Sequence, residues 1–153
     1  MFDEIVLGQR ERLGSYTFTP EAIIAFARNY DPQPFHLSEE GGAATHFGGL
    51  VASGWHTGSV WMRIRVDQWQ RMAADRAAKG LPPRASGPSG GFKNLKWPRP
   101  VRAGDTITYY TENVAKRPLA TRPGWGLVSS LNTGENQHGE LVFAFDGSVF
   151  VPL

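Results

Sequence analysis

An α+β fold is predicted by three features of the 153-residue sequence. Apolar residues recur at helical spacing between Pro20 and Tyr30. Small and aromatic residues after Ser53-Gly54 read as the start of a longer helix. Beyond residue 91 the chain breaks into four stretches of strand character separated by turn residues. Apolar residues at 41% and charged residues at 20% suit a folded chain. The length suits one domain over residues 1–153, able to bury roughly 68–70% of the surface its unfolded form exposes.

The elements follow in chain order. A strand is expected around Tyr16 and Phe18. Thr19 reads as an N-cap, Pro20 as the first helical residue, and Glu21 as an acid at the positive helix end. Ile23, Phe26, Ala27 and Tyr30 form one buried stripe, and Pro32 ends the helix by excluding its predecessor from the α region. A second helix starts near Ser53-Gly54 and passes through Trp55, Ser59, Met62 and Val66. A third carries Trp69, Met72, Ala73, Arg76 and Ala77 on one face and stops at Lys79-Gly80, with Pro82 beyond. Gly80 to Gly91, rich in Gly, Pro and Ser, separates the helical half from the strand-rich half. The strands are expected at Phe92 to Trp97, Thr106 to Val114, Gly126 to Thr133 and Glu140 to Val151. Leu127/Ser129/Leu131 and Leu141/Phe143/Phe145 supply the alternation. Gly134 to Gly139 reads as a hairpin loop, and Asp146-Gly147 as a bulge inside one long strand.

Composition removes several function classes. Without cysteine there are no disulfides, thiolate metal sites or cysteine nucleophile. Sixteen basic against fourteen acidic side chains leave +2, too little to suggest nucleic acid. No apolar run approaches the roughly 18–20 residues that span a bilayer, so no membrane association is expected. Met1-Phe2-Asp3-Glu4 lacks the basic and apolar regions of a signal peptide, which makes a cytoplasmic location the expectation. His46, His56 and His138 match no metal-ligand spacing, and neither a metal nor another cofactor is expected.

The chemistry concentrates in Asn29-Tyr30-Asp31-Pro32-Gln33-Pro34-Phe35-His36. On a continuous helix Asp31 and His36 would point apart. Pro32 and Pro34 forbid that helix and fix φ near −65° at each, so the backbone is kinked or extended. The bend lets a carboxylate and an imidazole converge on one small molecule such as water, a general acid/base arrangement. The alternative is a turn-capping Asp31 beside an ordinary, partly buried His36. A second stretch, Phe47-Gly-Gly-Leu-Val-Ala-Ser-Gly-Trp-His-Thr57, leads through Ser53 into a helix. The unpaired amides at a helix start can hold an anion or a developing oxyanion, and Gly54 exposes its N–H without a side chain in the way. Plain capping and close packing explain the same residues. Lys93, Lys96 and Arg99 lie among aromatics. They read as outward cations of a strand, as contacts for the phosphates of coenzyme A, or as a single-strand nucleic-acid surface, the last opposed by the small net charge.

Together these stretches resemble the MaoC-like acyl dehydratases, which include the (R)-specific enoyl-CoA hydratases. Their motif Asp-x-Asn-Pro-[hydrophobic]-His-x-Asp is similar to Asp31-Pro-Gln33-Pro34-Phe35-His36-Leu-Ser38. Phe47 to Thr57 is similar to the glycine-bearing entry into their central helix, and Pro100-Val101-Arg102-Ala103-Gly104-Asp105 to their Pro-Val-x-x-Gly-Asp lead-in. Gln33 replaces the usual Asn, Ser38 an Asp, and Ser53 the His that precedes the glycine in some relatives.

The resemblance implies a hot-dog fold, a curved antiparallel sheet wrapped around a long central helix starting at Gly54. It implies a homodimer or dimer-based oligomer and a thioester carried by coenzyme A or acyl carrier protein. Asp31 and His36 become the catalytic pair and the Gly54 N–H the oxyanion donor. Gln33, Phe35, Ser53 and Trp55 are the candidate substrate-binding residues, Phe35 and Trp55 lining the acyl path. The reaction implied interconverts 2-enoyl and (R)-3-hydroxyacyl thioesters through a water held by the pair, a carbon–oxygen lyase needing no metal or redox cofactor. Two other classes stay open. A hot-dog thioesterase commonly places an acid on the central helix, where this chain has none before Asp67, and a non-catalytic thioester binder would need the groove but not the pair.

Overall fold

A computed structural model describes residues 2–83 and 87–153. Part of the expected connector, residues 84–86, lies outside them. Strand β1 (Arg10–Thr17) leads directly into helix α1 (Pro20–Tyr30), capped as expected: the Thr19 hydroxyl accepts from the Ala22 amide at 3.2 Å. Ile23 and Ala27 are buried, but Tyr30 is 73% exposed, its ring meeting Phe26 at 5.0 Å. The expected stripe is one turn too long, because the last turn of α1 overhangs the core.

Two short helices follow, α2 (Pro34–Leu37) and α3 (Glu39–Ala43). Pro34 occupies the first helical position, where its missing N–H costs nothing. Ser38 caps α3, and Glu39 accepts from the Leu50 amide at 3.0 Å, tying the glycine loop to α3.

Helix α4 (Gly54–Ala78) is one uninterrupted helix of 25 residues, where the sequence reading placed two. Nothing between Val60 and Lys79 breaks it: the segment has no Pro or Gly, and Arg63 and Asp67 pair across one turn at 3.0 Å. At 1.5 Å per residue it extends roughly 37 Å, longer than the sheet can cover, which leaves Trp69 and Met72 more than a third exposed.

The sheet is antiparallel throughout, in the order β1-β3-β4-β5-β2, from β2 (Ser89–Lys96), β3 (Thr106–Pro118), β4 (Trp125–Glu135) and β5 (Leu141–Pro152). The expected strands are all present, several longer than foreseen. The face of β4 is the reverse of the expectation. Val128, Asn132 and Gly134 turn inward, while Leu131 is 37% exposed. Small and polar residues sit inside because space is scarce: a Cβ on Gly134 would lie 3.1 Å from the side chains of Ile107 and Tyr109. Residues 146 and 147 sit in regular register with β4, so no bulge forms there. The irregularity lies in the facing strand β2, where Asn94 takes φ 54° and its amide donates to Asp146 at 2.6 Å.

Phe18, Ile23, Leu50, Val101, Ile107, Tyr109 and Phe143 form the core between helix and sheet. Fully buried Tyr109 donates its hydroxyl to the Thr57 carbonyl at 3.0 Å, pinning the first turn of α4 to β3. Ala52 donates to Val101 (2.8 Å), and Val51 bridges Arg102, so the approach to α4 runs strapped beside residues 101–103. These contacts fix where α4 begins. A curved sheet around one long helix is the hot-dog fold. Among the described residues, no helix is long and apolar enough to cross a membrane.

Candidate active site

The bend at Asp31 is built by the prolines. Asp31 closes α1 with φ −154° and ψ 67°, its N–H donating to Ala27, and its carbonyl accepts from Gln33 at 2.8 Å. Pro34 then starts α2, which carries His36 back toward the aspartate. Asp31 Oδ2 and His36 Nε2 stand 3.4 Å apart. The two side chains face each other, as the sequence reading required. Asp31 keeps 18% of its side chain exposed and His36 only 7%, so the approach to the pair is over the aspartate.

Each member is held by further groups. His36 Nδ1 lies 2.7 Å from the Val51 carbonyl. A carbonyl only accepts, so Nδ1 donates to it and Nε2 is the ring nitrogen that faces Asp31. Gln33 donates to Asp31 Oδ1 and Ser53 donates to Oδ2, both at 2.7 Å. Burial pushes the Asp31 carboxyl upward, but the bonds from Ser53 and Gln33, helped by the neighbouring His36 ring, outweigh it and hold the group below its ordinary value. Ser53 is 1% exposed and its oxygen also accepts from the Trp55 amide at 3.2 Å. One hydroxyl thus couples the aspartate to the N-terminus of α4.

Gly54 opens that helix, and among the described residues its N–H donates to no protein group. Its lack of a side chain has a specific cause. A Cβ there would lie 2.5 Å from Trp97 Cε2, since the indole lies against the glycine. The Trp97 Nε1–H donates to Thr57 at 3.2 Å, and its ring meets Trp55 edge-on at 5.3 Å.

Trp97 is a wall of two cavities. One, of about 370 Å³, runs between α4 and strands β2 and β5, and is walled by Trp55, Trp61, Phe92, Phe143 and Phe145 among others. The other, of about 430 Å³, is bounded by Gly54, Val51, His46, Arg99 and Arg102. Asp31 and His36 are not among the wall residues of either. They adjoin the cavities through their tethers, Val51 and the Ser53-Gly54 step.

The candidate residues therefore divide. Asp31, His36, Gln33, Ser53 and Gly54 gather at the start of α4, and Trp55 lines the aromatic cavity. Phe35 lines neither cavity; it packs against His36 and Phe47. Lys93 and Lys96 are exposed on β2, while Arg99 pairs with Glu140 at 3.3 Å and borders the second cavity. His46 also borders it, His138 lies exposed in the β4–β5 loop, and His56 is buried with its ring stacked 4.6 Å from Phe26. Trp97 went unmarked in the sequence as a site residue. The available signal was an aromatic at the end of a strand, with no local spacing linking it to residue 54.

A curved sheet wrapped on a long helix defines a hot-dog protein, here with an acid and an imidazole facing each other at the helix start. Residues 6–124 match the MaoC like domain, and the chain belongs to that family. It is similar to a MaoC-like dehydratase from Rhodospirillum rubrum, with 34% identity, TM-score 0.82, and 98% and 94% of the two chains covered. It is also similar to an (R)-hydratase from A. caviae involved in PHA biosynthesis, with 25% identity, TM-score 0.69, and 97% and 98% covered. The uncharacterized protein YdeM of Bacillus subtilis (strain 168) is 25% identical over 149 residues, 97% of this chain and 96% of that protein.

Proposed function

We propose that the chain is a hydratase/dehydratase that interconverts 2-enoyl and (R)-3-hydroxyacyl thioesters. The observation that carries the proposal is the Asp31–His36 pair, 3.4 Å apart, beside the unpaired amide of Gly54. Similarity to an (R)-hydratase supports it. The thioester oxygen accepts from the Gly54 N–H at the positive end of α4, which draws electrons from the conjugated double bond. Nε2 of His36 and Oδ2 of Asp31 both offer lone pairs, so a water donates one hydrogen to each and keeps an oxygen lone pair for Cβ. As the C–O bond forms, the double-bond electrons move onto the thioester as an enolate. The pair takes one proton from the water and returns it to Cα. Dehydration reverses every step. Ser53 and Gln33 position the aspartate and keep it ionised.

The second cavity, with Arg99 and Arg102 at Gly54, suits the anionic carrier, coenzyme A or acyl carrier protein. Trp55, Met62 and Trp69 repeat every seven residues as an exposed stripe on α4, and β2 is an unpaired edge bearing a 57% exposed Phe92. Such a stripe and edge favour a homodimer.

The test is the loss of enoyl absorbance with crotonyl-CoA or a longer 2-enoyl-CoA. Positioned proton transfer typically contributes ~10²–10⁴-fold, so Asp31→Asn and His36→Ala should each lose about that much. Wild-type turnover in both variants overturns the proposal. Release of free thiol would instead mark a thioesterase. Against that reading, the first acid on α4, Asp67, lies roughly 20 Å along the helix from Gly54 and is paired with Arg63.

A further inference from the structure

We infer that the acyl group taken by this site ends in a carboxylate, held by Arg65 in the aromatic cavity; the inference rests on the hydratase reading and names its substrate class. Trp55 and Trp97, the residues flanking Gly54, form one part of the cavity wall, and Arg65 and Trp69 form another, further along α4. Eleven helical steps separate Gly54 from Arg65, a rise of roughly 16 Å. Trp61, Phe143 and Phe145 supply apolar wall to the same cavity, a passage for hydrocarbon. Trp97 lies against Gly54 and also walls this cavity, so a chain held at the amide that passes the indole and runs along α4 brings its far end toward Arg65.

Arg65 is short of partners for a cation in that position. Nη1 donates to Gln68 Oε1 at 2.6 Å, and the guanidinium carbon sits 5.1 Å over the Trp69 ring. Among the described residues, no carboxylate forms an ion pair with it. The nearest acid in influence, Glu11, accepts instead from the Gln68 amide. Burial pulls the guanidinium's pKa down and only the charge of Glu11 resists. A partly desolvated cation whose one acid in influence is bonded to Gln68 instead is costly, and a guanidinium has five N–H donors in a fork that fits a carboxylate with two parallel bonds. A cavity shaped for a methyl end would gain more from an aliphatic residue at this position.

The experiment compares 2-hexenoyl-CoA and 2-octenoyl-CoA with their ω-carboxylated counterparts, alongside crotonyl-CoA, in the wild type and in Arg65→Met and Arg65→Lys. The expected result is at least a tenfold higher kcat/KM for the ω-carboxylated ester than for the methyl-ended ester of equal chain length. Arg65→Met should lower the ratio of the ω-carboxylated to the methyl-ended value roughly ten- to hundredfold, and Arg65→Lys should restore part of it. The wild-type comparison stands by itself should Arg65→Met fail to fold. Wild-type preference for methyl-ended chains with crotonyl-CoA still turned over overturns the Arg65 assignment alone, as does an equal fall on both ester types in Arg65→Met. Absence of turnover with every ester overturns the hydratase reading and this inference with it.

Discussion

Replacing Ser53 separates two jobs that one hydroxyl performs. Its oxygen accepts the Trp55 amide as the N-cap of α4 and donates to the Asp31 carboxylate at 2.7 Å. Losing a cap to alanine costs about 1 kcal/mol, whereas glycine at the same place costs only a few tenths. A hydrogen bond to a charged group contributes about 1.5–3 kcal/mol. Ser53→Ala should therefore destabilise by about 2–4 kcal/mol at pH 7, and Ser53→Gly by about 1 kcal/mol less, since both lose the carboxylate bond. The pH dependence supplies the independent readout. Asp31 titrates below its unfolded value of 3.8, so its contribution is present above that pH and is lost as pH falls through the folded value. Removing Ser53 takes away one of the influences holding the carboxyl down, and the burial that opposes them remains. The gap between wild type and Ser53→Ala should narrow between pH 7 and pH 3. Urea denaturation at several pH values measures it, and the acid limb of the pH–rate profile should move upward in the variant. Stabilities within about 0.5 kcal/mol of wild type, or a gap unchanged with pH, would refute the coupling of Asp31 to the helix start.

Further expectations concern the same neighbourhood. Gly54→Ala drives a methyl to within 2.5 Å of Trp97 and should cost about 1–3 kcal/mol; a double-mutant cycle should show that cost shrinking in Trp97→Ala. Buried His56 has its pKa pushed down to about 4 from 6.5, so the unfolded chain binds more protons between those values and stability is lost as the pH is lowered through that window. The full effect is about 3 kcal/mol by the usual 1.36 kcal/mol per pKa unit, and His56→Gln should flatten the curve in chemical denaturation at pH 7, 6 and 5.

What the sequence disclosed was mostly what short-range rules govern. Thr19-Pro20, the stop at Pro32 and the bend from Asp31 to His36 follow from cap chemistry and fixed proline φ angles, and the structure follows them. The start of α4 was likewise readable from Ser53-Gly54. Its continuity was not: the apolar pattern shifts between Val66 and Trp69, and such a shift reads like a chain break although no residue there interrupts a helix. The inner face of β4 was misread because Leu127 and Leu131 out-rank Asn132 and Gly134 in hydropathy. Closeness of packing around Ile107 and Tyr109, a tertiary matter, decides which side fits inside. Trp97 and Arg65 were missed as site residues for a related reason. Each acquires its meaning from a neighbour far along the chain.

The Val51 carbonyl makes the His36 ring lopsided. With one nitrogen committed to the backbone, the imidazole has a single door for protons, and whatever it collects must leave by the way it entered. In the proposed hydration, traffic between solvent oxygen and carbon would thereby be confined to one side of the acyl chain. Handedness in the product would then originate in a main-chain oxygen, an atom that no side-chain substitution deletes.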